Sequence, residues 1–203
     1  MTRTIRRPGV RAARAGFLAA PFLGLAVAVA LVWQSSYAAF SATTDNGVNN
    51  WRAGSVTITD NDAGTAMFNL TDDGALKPGS TRSRCIEVTK SGTLASTVEL
   101  YGTGFTNTNS LGTHLDMVID QGTGTVTGGG CGSFTPLGSG ANVYTGTLAA
   151  LGGSYATGHG DWAPAAGSQT RTFRVTYTLN AAAPNTTQGG TAAVSFVWES
   201  QNS

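Results

Sequence analysis

Strict alternation of apolar and polar side chains is the feature that most constrains this chain. Between Thr172 and Leu179 every second residue is apolar, and the residues between them are threonine or arginine. Successive side chains of a β-strand point to opposite sides, so this segment buries one face and exposes the other. The same pattern predicts strands at 56–59, 66–71, 86–88, 98–100, 115–119 and 194–199, with a further strand near 142–148.

Turn-forming residues separate these segments. Aspartate, asparagine, glycine and proline are grouped at 60–64, 72–74, 77–79 and 128–130, where tight turns and positive φ angles are needed. Only 148–155 has room for a short helix. Strands with one wet and one buried face must pack as two layers or close into a barrel. The sequence therefore predicts an all-β fold, an antiparallel β-sandwich of jelly-roll-like type.

The first 38 residues predict a helical signal peptide. Five arginines precede every acidic residue, an apolar run extends from Phe17 to Trp33, and the small-x-small triplet 36–38 follows. A basic start, an apolar centre and a small-residue end are typical of a secretion signal. We expect cleavage between Ala38 and Ala39, with an uncleaved membrane anchor as the alternative. Residues 39–203 then form a single secreted, extracellular domain, free or associated with the cell surface.

The charge of the mature chain argues against nucleic acid as a partner. Loss of the five signal arginines leaves seven basic residues against 11 acidic ones, a net charge of −4. Proteins that bind nucleic acid need a basic surface that neutralises phosphates. The mature chain has no such surplus of positive charge.

Cys85 and Cys131 are the two cysteines of the chain. In an exported protein such a pair predicts one disulfide. A cysteine nucleophile or a thiolate metal site is the alternative, but neither cysteine has a C-x-x-C partner or a nearby histidine.

Catalytic and metal-binding motifs are missing from the sequence. It contains neither H-E-x-x-H nor G-x-S-x-G, and the segment 159–161 predicts a solvated loop rather than a metal site. Asp60 and Asp62 precede Gly64 at a spacing that suits calcium, although a turn between strands explains the same residues. We predict no catalytic residue, no metal and no cofactor.

Two tryptophans lie outside the predicted strands. Trp51 and Trp162 are candidates for a binding surface because aromatic faces stack on the apolar faces of sugars. The aromatic residues within strands, such as Phe173 and Trp198, are expected in the core.

A series of short motifs carries a resemblance to a known family. They are Ser-Tyr-Ala-Ala-Phe-Ser at 36–41, Ala-Gly-Ser-Val-Thr-Ile at 53–58, Leu-Lys-Pro-Gly at 76–79, Cys-Ile-Glu-Val at 85–88 and Phe-Val-Trp-Glu-Ser-Gln at 196–201. In this order and spacing they resemble the TasA/camelysin family of exported proteins, most closely its actinobacterial members. The resemblance implies a jelly-roll domain and processing by the dedicated signal peptidase SipW.

For TasA itself, the family implies assembly into biofilm-matrix fibres. The mature N-terminal segment of one subunit completes the sheet of the next, and here the donor strand is expected to comprise Ala39, Phe40, Ser41, Ala42, Thr43 and Thr44. An open sheet edge leaves unpaired N–H and C=O groups that such a strand satisfies. The implied partners are a SipW-type signal peptidase, other copies of the chain, and a cell-wall or matrix polymer.

This chain departs from the family in two respects. It is shorter than TasA and carries a cysteine pair. Camelysin relatives are labelled metalloproteases, but the ligands of a zinc protease are missing here, so we do not transfer that activity. The hypotheses are a self-associating matrix or surface protein, a cell-wall or glycan-binding module and, disfavoured, a metalloendopeptidase.

Overall fold

Nine antiparallel strands build the part of the chain that this computed structural model describes, residues 50–202. The predicted signal peptide lies outside these residues. The strands are β1 (Val56–Asp60), β2 (Thr81–Gly92), β3 (Ser96–Asn107), β4 (Leu115–Thr123), β5 (Thr135–Pro136), β6 (Asn142–Thr147), β7 (His159–Trp162), β8 (Gln169–Leu179) and β9 (Ala192–Asn202). One short helix, α1 (Leu70–Asp73), and four single 3₁₀ turns lie between them within this range.

The strands form two sheets. The larger sheet has the order β1-β2-β8-β4-β5, with β6 also paired to β4, and the smaller sheet has the order β7-β3-β9. The chain passes from one sheet to the other five times, between β2 and β3, β3 and β4, β6 and β7, β7 and β8, and β8 and β9. This repeated crossing gives the predicted jelly-roll-like sandwich, because neighbours in a sheet are mostly not neighbours in sequence.

The core lies between the two sheets. Phe173 of β8 contacts Trp162 of β7 and Trp198 of β9, with ring centroids 6.2 and 5.3 Å apart. Most of the other buried apolar side chains come from the inward positions of the predicted alternation: Ile86, Val88, Val98, Leu100, Leu115, Met117, Ile119, Val175, Tyr177 and Leu179, with Tyr144 of β6 and Leu148 completing the core. Each such side chain contributes about 1.5–3 kcal/mol on burial, so this layer is the main source of stability.

One predicted strand is wrong. Residues 66–71 form a loop and the start of α1, and Leu70 is 80% exposed. Asn69 caps this helix, since its Oδ1 accepts from Asp72 N at 2.9 Å. Gly74, with φ of 67°, ends the helix in a conformation that glycine adopts without strain. Local capping chemistry therefore outweighs the alternation at this place.

The region near 142–148 does form a strand, β6, followed by a 3₁₀ turn at Leu148–Ala150. No helix within residues 50–202 has the length and apolar character to cross a membrane.

Candidate functional site

The predicted cleavage site, Ala38 and Ala39, and the predicted donor strand, 39–44, lie outside the described residues. The described residues form the domain that such a strand would join. The strands that end each sheet therefore matter most, since they are where a further strand adds.

The predicted disulfide is present and fixes a loop on the larger sheet. Cys85 of β2 is bonded to Cys131, 46 positions later, with Cα atoms 5.0 Å apart. The loop between β4 and β5 crosses the outer side of β8 to reach β2, and on its way Thr172 Oγ1 donates to the carbonyl of Gly124 at 2.8 Å. Within residues 50–202 no cysteine is left free.

The same loop, together with the residue that follows β1, covers an edge. β1 pairs only with residues 88–92 of β2, which leaves the preceding part of β2 without a strand on that side. There Cys85 N donates to Gly129 O, and Glu87 N donates to Asn61 Oδ1, both at 2.9 Å. Loops that occupy edge groups prevent the addition of another strand. The β2 edge of the larger sheet is therefore protected at Cys85 and Glu87.

β9 is an edge of a different kind. It has 11 residues, and its only strand partner within residues 50–202 is β3. Neither a bulge nor a loop of the described chain bonds to the far side of its second half. A long strand with one unpaired side is the feature that natural sheets normally avoid, because it is a template for a further strand.

The hydrogen bonds of β3 show which groups of β9 are free. Ser96 N and Gly102 N of β3 donate to carbonyls on the β7 side, at 3.1 and 2.7 Å. In an antiparallel pair, residues alternate between bonding to the partner and pointing away from it. The residues of β9 opposite these even-numbered β3 positions, Phe196, Trp198 and Ser200, therefore direct their N–H and C=O groups to the unpaired side.

The inward face of β9 is only partly covered. Val194, Phe196 and Trp198 pack against the core but remain half-buried. The indole N–H of Trp198 is shielded from solvent and has no acceptor within residues 50–202. A buried donor without a partner costs about 1–3 kcal/mol, so this edge combines apolar surface with an unused donor.

Two glutamates lie opposite each other on the outward face of the smaller sheet. Glu99 of β3 pairs with Glu199 of β9 in the register. Tyr101 Oη donates to Glu199 at 2.7 Å, and Gln201 Nε2 donates to it at 2.8 Å. These donors, Gln201 first, lower the pKa of Glu199, whereas burial and then the charge of Asp161 raise the pKa of Glu99.

A buried polar network lies at one end of the sandwich. Gln121, 1% exposed, donates from Nε2 to Asp161 Oδ1 at 2.6 Å and to Gly140 O at 2.7 Å. Arg171 Nη1 donates to Gln121 Oε1 at 2.9 Å, and its guanidinium lies 5.3 Å from the ring centre of Trp162. The network satisfies its buried polar atoms within itself, which suits a structural role.

The two tryptophan candidates differ in position. Trp162 is only 3% exposed, in β7 against Phe173, so the prediction of a binding surface there is wrong. The sequence pattern does not predict β7, because its four residues are too few to show an alternation. Trp51 is 88% exposed, which keeps its face open to a ligand.

The segments considered for metal binding take other roles. Asp60 Oδ1 accepts from the backbone N–H of Asp62 at 3.1 Å and of Ala63 at 2.9 Å, which is the predicted turn. His159 begins β7 and packs on Tyr144 with ring centroids 4.6 Å apart, so 159–161 is a strand and not a solvated loop. Residues 50–202 contain no group of three or more histidine, cysteine or carboxylate residues arranged to hold a metal.

Sequence reasoning missed the inward-facing polar residues. Lys90, Gln121 and Arg171 occupy inward positions of β2, β4 and β8, two residues from an apolar core residue in each strand. A polar residue at the end of an alternating apolar series was the available signal.

Comparison of the chain with known protein families finds no match, and no curated protein matches it either.

Proposed function

We propose that this protein is an exported structural protein that self-associates outside the cell, with β9 accepting the N-terminal segment 39–44 of a neighbouring copy. The observation that carries the proposal is the unpaired 11-residue edge of β9 beside a partly covered apolar face. The protected β2 edge makes the contrast informative, since only one of these two edges is left open.

The donor segment suits this edge in composition. Phe40, Ala42 and Thr44 alternate with Ser41 and Thr43, and no residue of the six is charged. A strand added to β9 bonds to the free groups of Phe196, Trp198 and Ser200 and places alternate side chains over the half-buried inward face. A carbonyl of the added strand also offers the indole N–H of Trp198 an acceptor.

Because the donor segment and the β9 edge are different surfaces, each copy carries one donor and one acceptor. Such a head-to-tail contact need not close, and an open series of contacts grows into a filament. The proposal is therefore a fibre-forming component of an extracellular or biofilm matrix, in line with the resemblance to the TasA/camelysin family, and without catalytic activity.

Export is part of the same proposal. Residues 1–38 direct secretion, and a SipW-type signal peptidase cleaves between Ala38 and Ala39, which frees the donor segment. N-terminal sequencing of the protein recovered from the culture medium should begin at Ala39. An intact residue 1 in the recovered protein would contradict this part.

Three variants of the mature chain test the assembly. One begins at Asp45 and lacks the donor. Ser200→Pro removes one free N–H of the acceptor edge, a position at which an edge strand tolerates proline. Ser200→Ala is the matched control: it removes the same hydroxyl, which bonds to Ser96 at 2.8 Å, but keeps the N–H.

Analytical ultracentrifugation and negative-stain microscopy provide the measurements. We expect the parent chain and Ser200→Ala to form filaments, and the other two variants to remain monomeric. A mixture of the two defective variants should give 1:1 complexes, since one supplies an intact donor and the other an intact acceptor. Filaments from Ser200→Pro, or a parent chain that stays monomeric at all concentrations, would refute the mechanism.

A second function rests on Trp51. Its exposed ring is a surface for a cell-wall or matrix polysaccharide. Sedimentation with insoluble wall polymer should retain the parent chain and lose Trp51→Ala. Equal retention of both would remove this candidate while leaving self-association untouched.

A further inference from the structure

The pair formed by Glu99 and Glu199 has no compensating cation. Three ion pairs occur within residues 50–202, and none includes either glutamate. They are Arg82–Asp73, Arg84–Asp73 and Arg174–Asp120. Like charges directly opposite each other on neighbouring strands are destabilising. Glu99 and Glu199 exchange backbone hydrogen bonds with each other, because the N–H and C=O groups of the odd-numbered β3 residues point to β9.

The groups that face Glu99 are all acidic or neutral. They are Glu199 from β9, Asp161 from β7, the phenol of Tyr155 from the 3₁₀ turn at 155–157, and Tyr101 two residues along β3. The loop before β7 shields Glu99, since a Cβ atom placed on Gly158 would lie 2.8 Å from the Cβ of Glu99. Glu99 is thus partly buried against negative charge.

The neighbouring donors are used by the other glutamate. Tyr101 and Gln201 both donate to Glu199. The pKa of Glu199 is therefore lowered, whereas that of Glu99 is raised, so Glu99 is the member of the pair that takes up a proton first as the pH falls. A neutral carboxyl also gains an O–H donor opposite a carboxylate acceptor.

We propose that Glu99, shielded beside Asp161 and opposite Glu199, is an acid-sensitive switch that sets how firmly β9 is held on β3. Protonation of Glu99 removes a partly buried charge that faces Asp161 and lies opposite Glu199, which tightens the strand, and ionisation loosens it. This switch belongs to the domain itself, so it operates whether or not β9 accepts a donor strand.

The raised pKa of Glu99 supports the direction of the effect. The folded state then binds the proton more tightly than the unfolded state, whose pKa is about 4.3. The stabilisation is fully present below that pH and is lost as the pH rises through the folded pKa. Each unit of difference between the folded and unfolded pKa of Glu99 corresponds to about a tenfold change in the equilibrium constant for unfolding. The stabilisation that accompanies the lowered pKa of Glu199 is present above about pH 4.3 and is lost only as the pH falls below that value.

Amide hydrogen exchange and thermal unfolding test the switch on the secreted chain at a concentration at which it is monomeric. Between pH 7.5 and pH 4.5 we expect the Tm to rise and the amides of Val197 and Glu199 to gain protection after correction for intrinsic rates. Glu99→Gln should be more stable than the parent at pH 7.5, and it should lose most of this pH dependence.

Glu87→Gln is the matched control. Glu87 lies on the outward side of the larger sheet, where its Oε1 accepts from Val126 N at 3.2 Å, an acceptor role that glutamine keeps. This variant should retain the full pH dependence. Asp161→Asn provides a second route, since it should shift the transition to lower pH by removing the charge that raises the pKa of Glu99, while its amide oxygen can still accept from Gln121. Undiminished pH dependence in both Glu99→Gln and Asp161→Asn would overturn the proposal.

Discussion

Removal of the disulfide should destabilise the domain by an amount set by the number of residues between the two cysteines. Cys85 and Cys131 are 46 positions apart. In the chain-entropy description, a cross-link over this separation stabilises the folded state by about 4 kcal/mol at 25 °C. The double variant Cys85→Ala, Cys131→Ala removes the cross-link. For a domain of this size, a loss of about 4 kcal/mol lowers the Tm by about 8–16 °C.

Urea unfolding of both proteins, followed by circular dichroism, measures the loss directly. We expect a lower midpoint for the double variant, together with a steeper slope, because the unfolded chain without its cross-link exposes more surface. The parent chain after reduction with dithiothreitol serves as a second comparison that retains both sulfur atoms. A loss below about 1 kcal/mol would refute the entropy argument. The loop would then be held mainly by its bonds to Cys85 N and Glu87.

Three further predictions concern the core and its titratable groups. Lys90 is fully buried and donates to the carbonyls of Leu94 and Ala165, so Lys90→Ala should lower the free energy of unfolding by about 2–4 kcal/mol in a urea titration. Ile119→Ala should cost about 2–5 kcal/mol in the same assay, since Ile119 has no exposed surface and its truncation leaves a cavity. At alkaline pH the stability present below pH about 10 should be lost as the pH rises, with tyrosinate absorbance increasing together with unfolding and not before it. The reason is that the pKa of four tyrosines is raised in the folded state. Burial is the main cause for Tyr144, Tyr155 and Tyr177, and the hydrogen bond to Glu199 is the main cause for Tyr101.

The long strands could be predicted from the sequence because burial alone determines their pattern. Along β8 the apolar residues face the core and the threonines and arginines between them face outward or pair with neighbours. Arg174, for example, bonds to Asp120 of β4 at 2.7 Å on the outer side. Such strands repeat the alternation often enough for it to exceed chance.

Short elements escaped prediction for the opposite reason. β5 has two residues and β7 has four, too few to show a period of two. Residues 66–71 did show the period, but Asn69 supplies a helix cap that the alternation does not take into account. Local hydrogen bonds of single side chains therefore decide these segments.

The open edge of β9 could not be predicted from the sequence. The residues of β9 alternate in the same way as those of β8, although β8 lies between two strands and β9 beside one. Strand order depends on long-range pairing, which no local pattern encodes. The carboxyl pair of Glu99 and Glu199 depends on the same pairing, because the two residues are 100 positions apart in the chain.

The loop bonded to β2 through Cys131 has a consequence for the proposed assembly. Gly129 of this loop accepts from Cys85 N, and the disulfide is the covalent link that keeps it there. If the proposed assembly through β9 is correct, release of the loop in the reduced chain frees one further N–H group at the β2 edge, while Asn61 still occupies that of Glu87. Material assembled under reducing conditions should then contain branched as well as linear filaments.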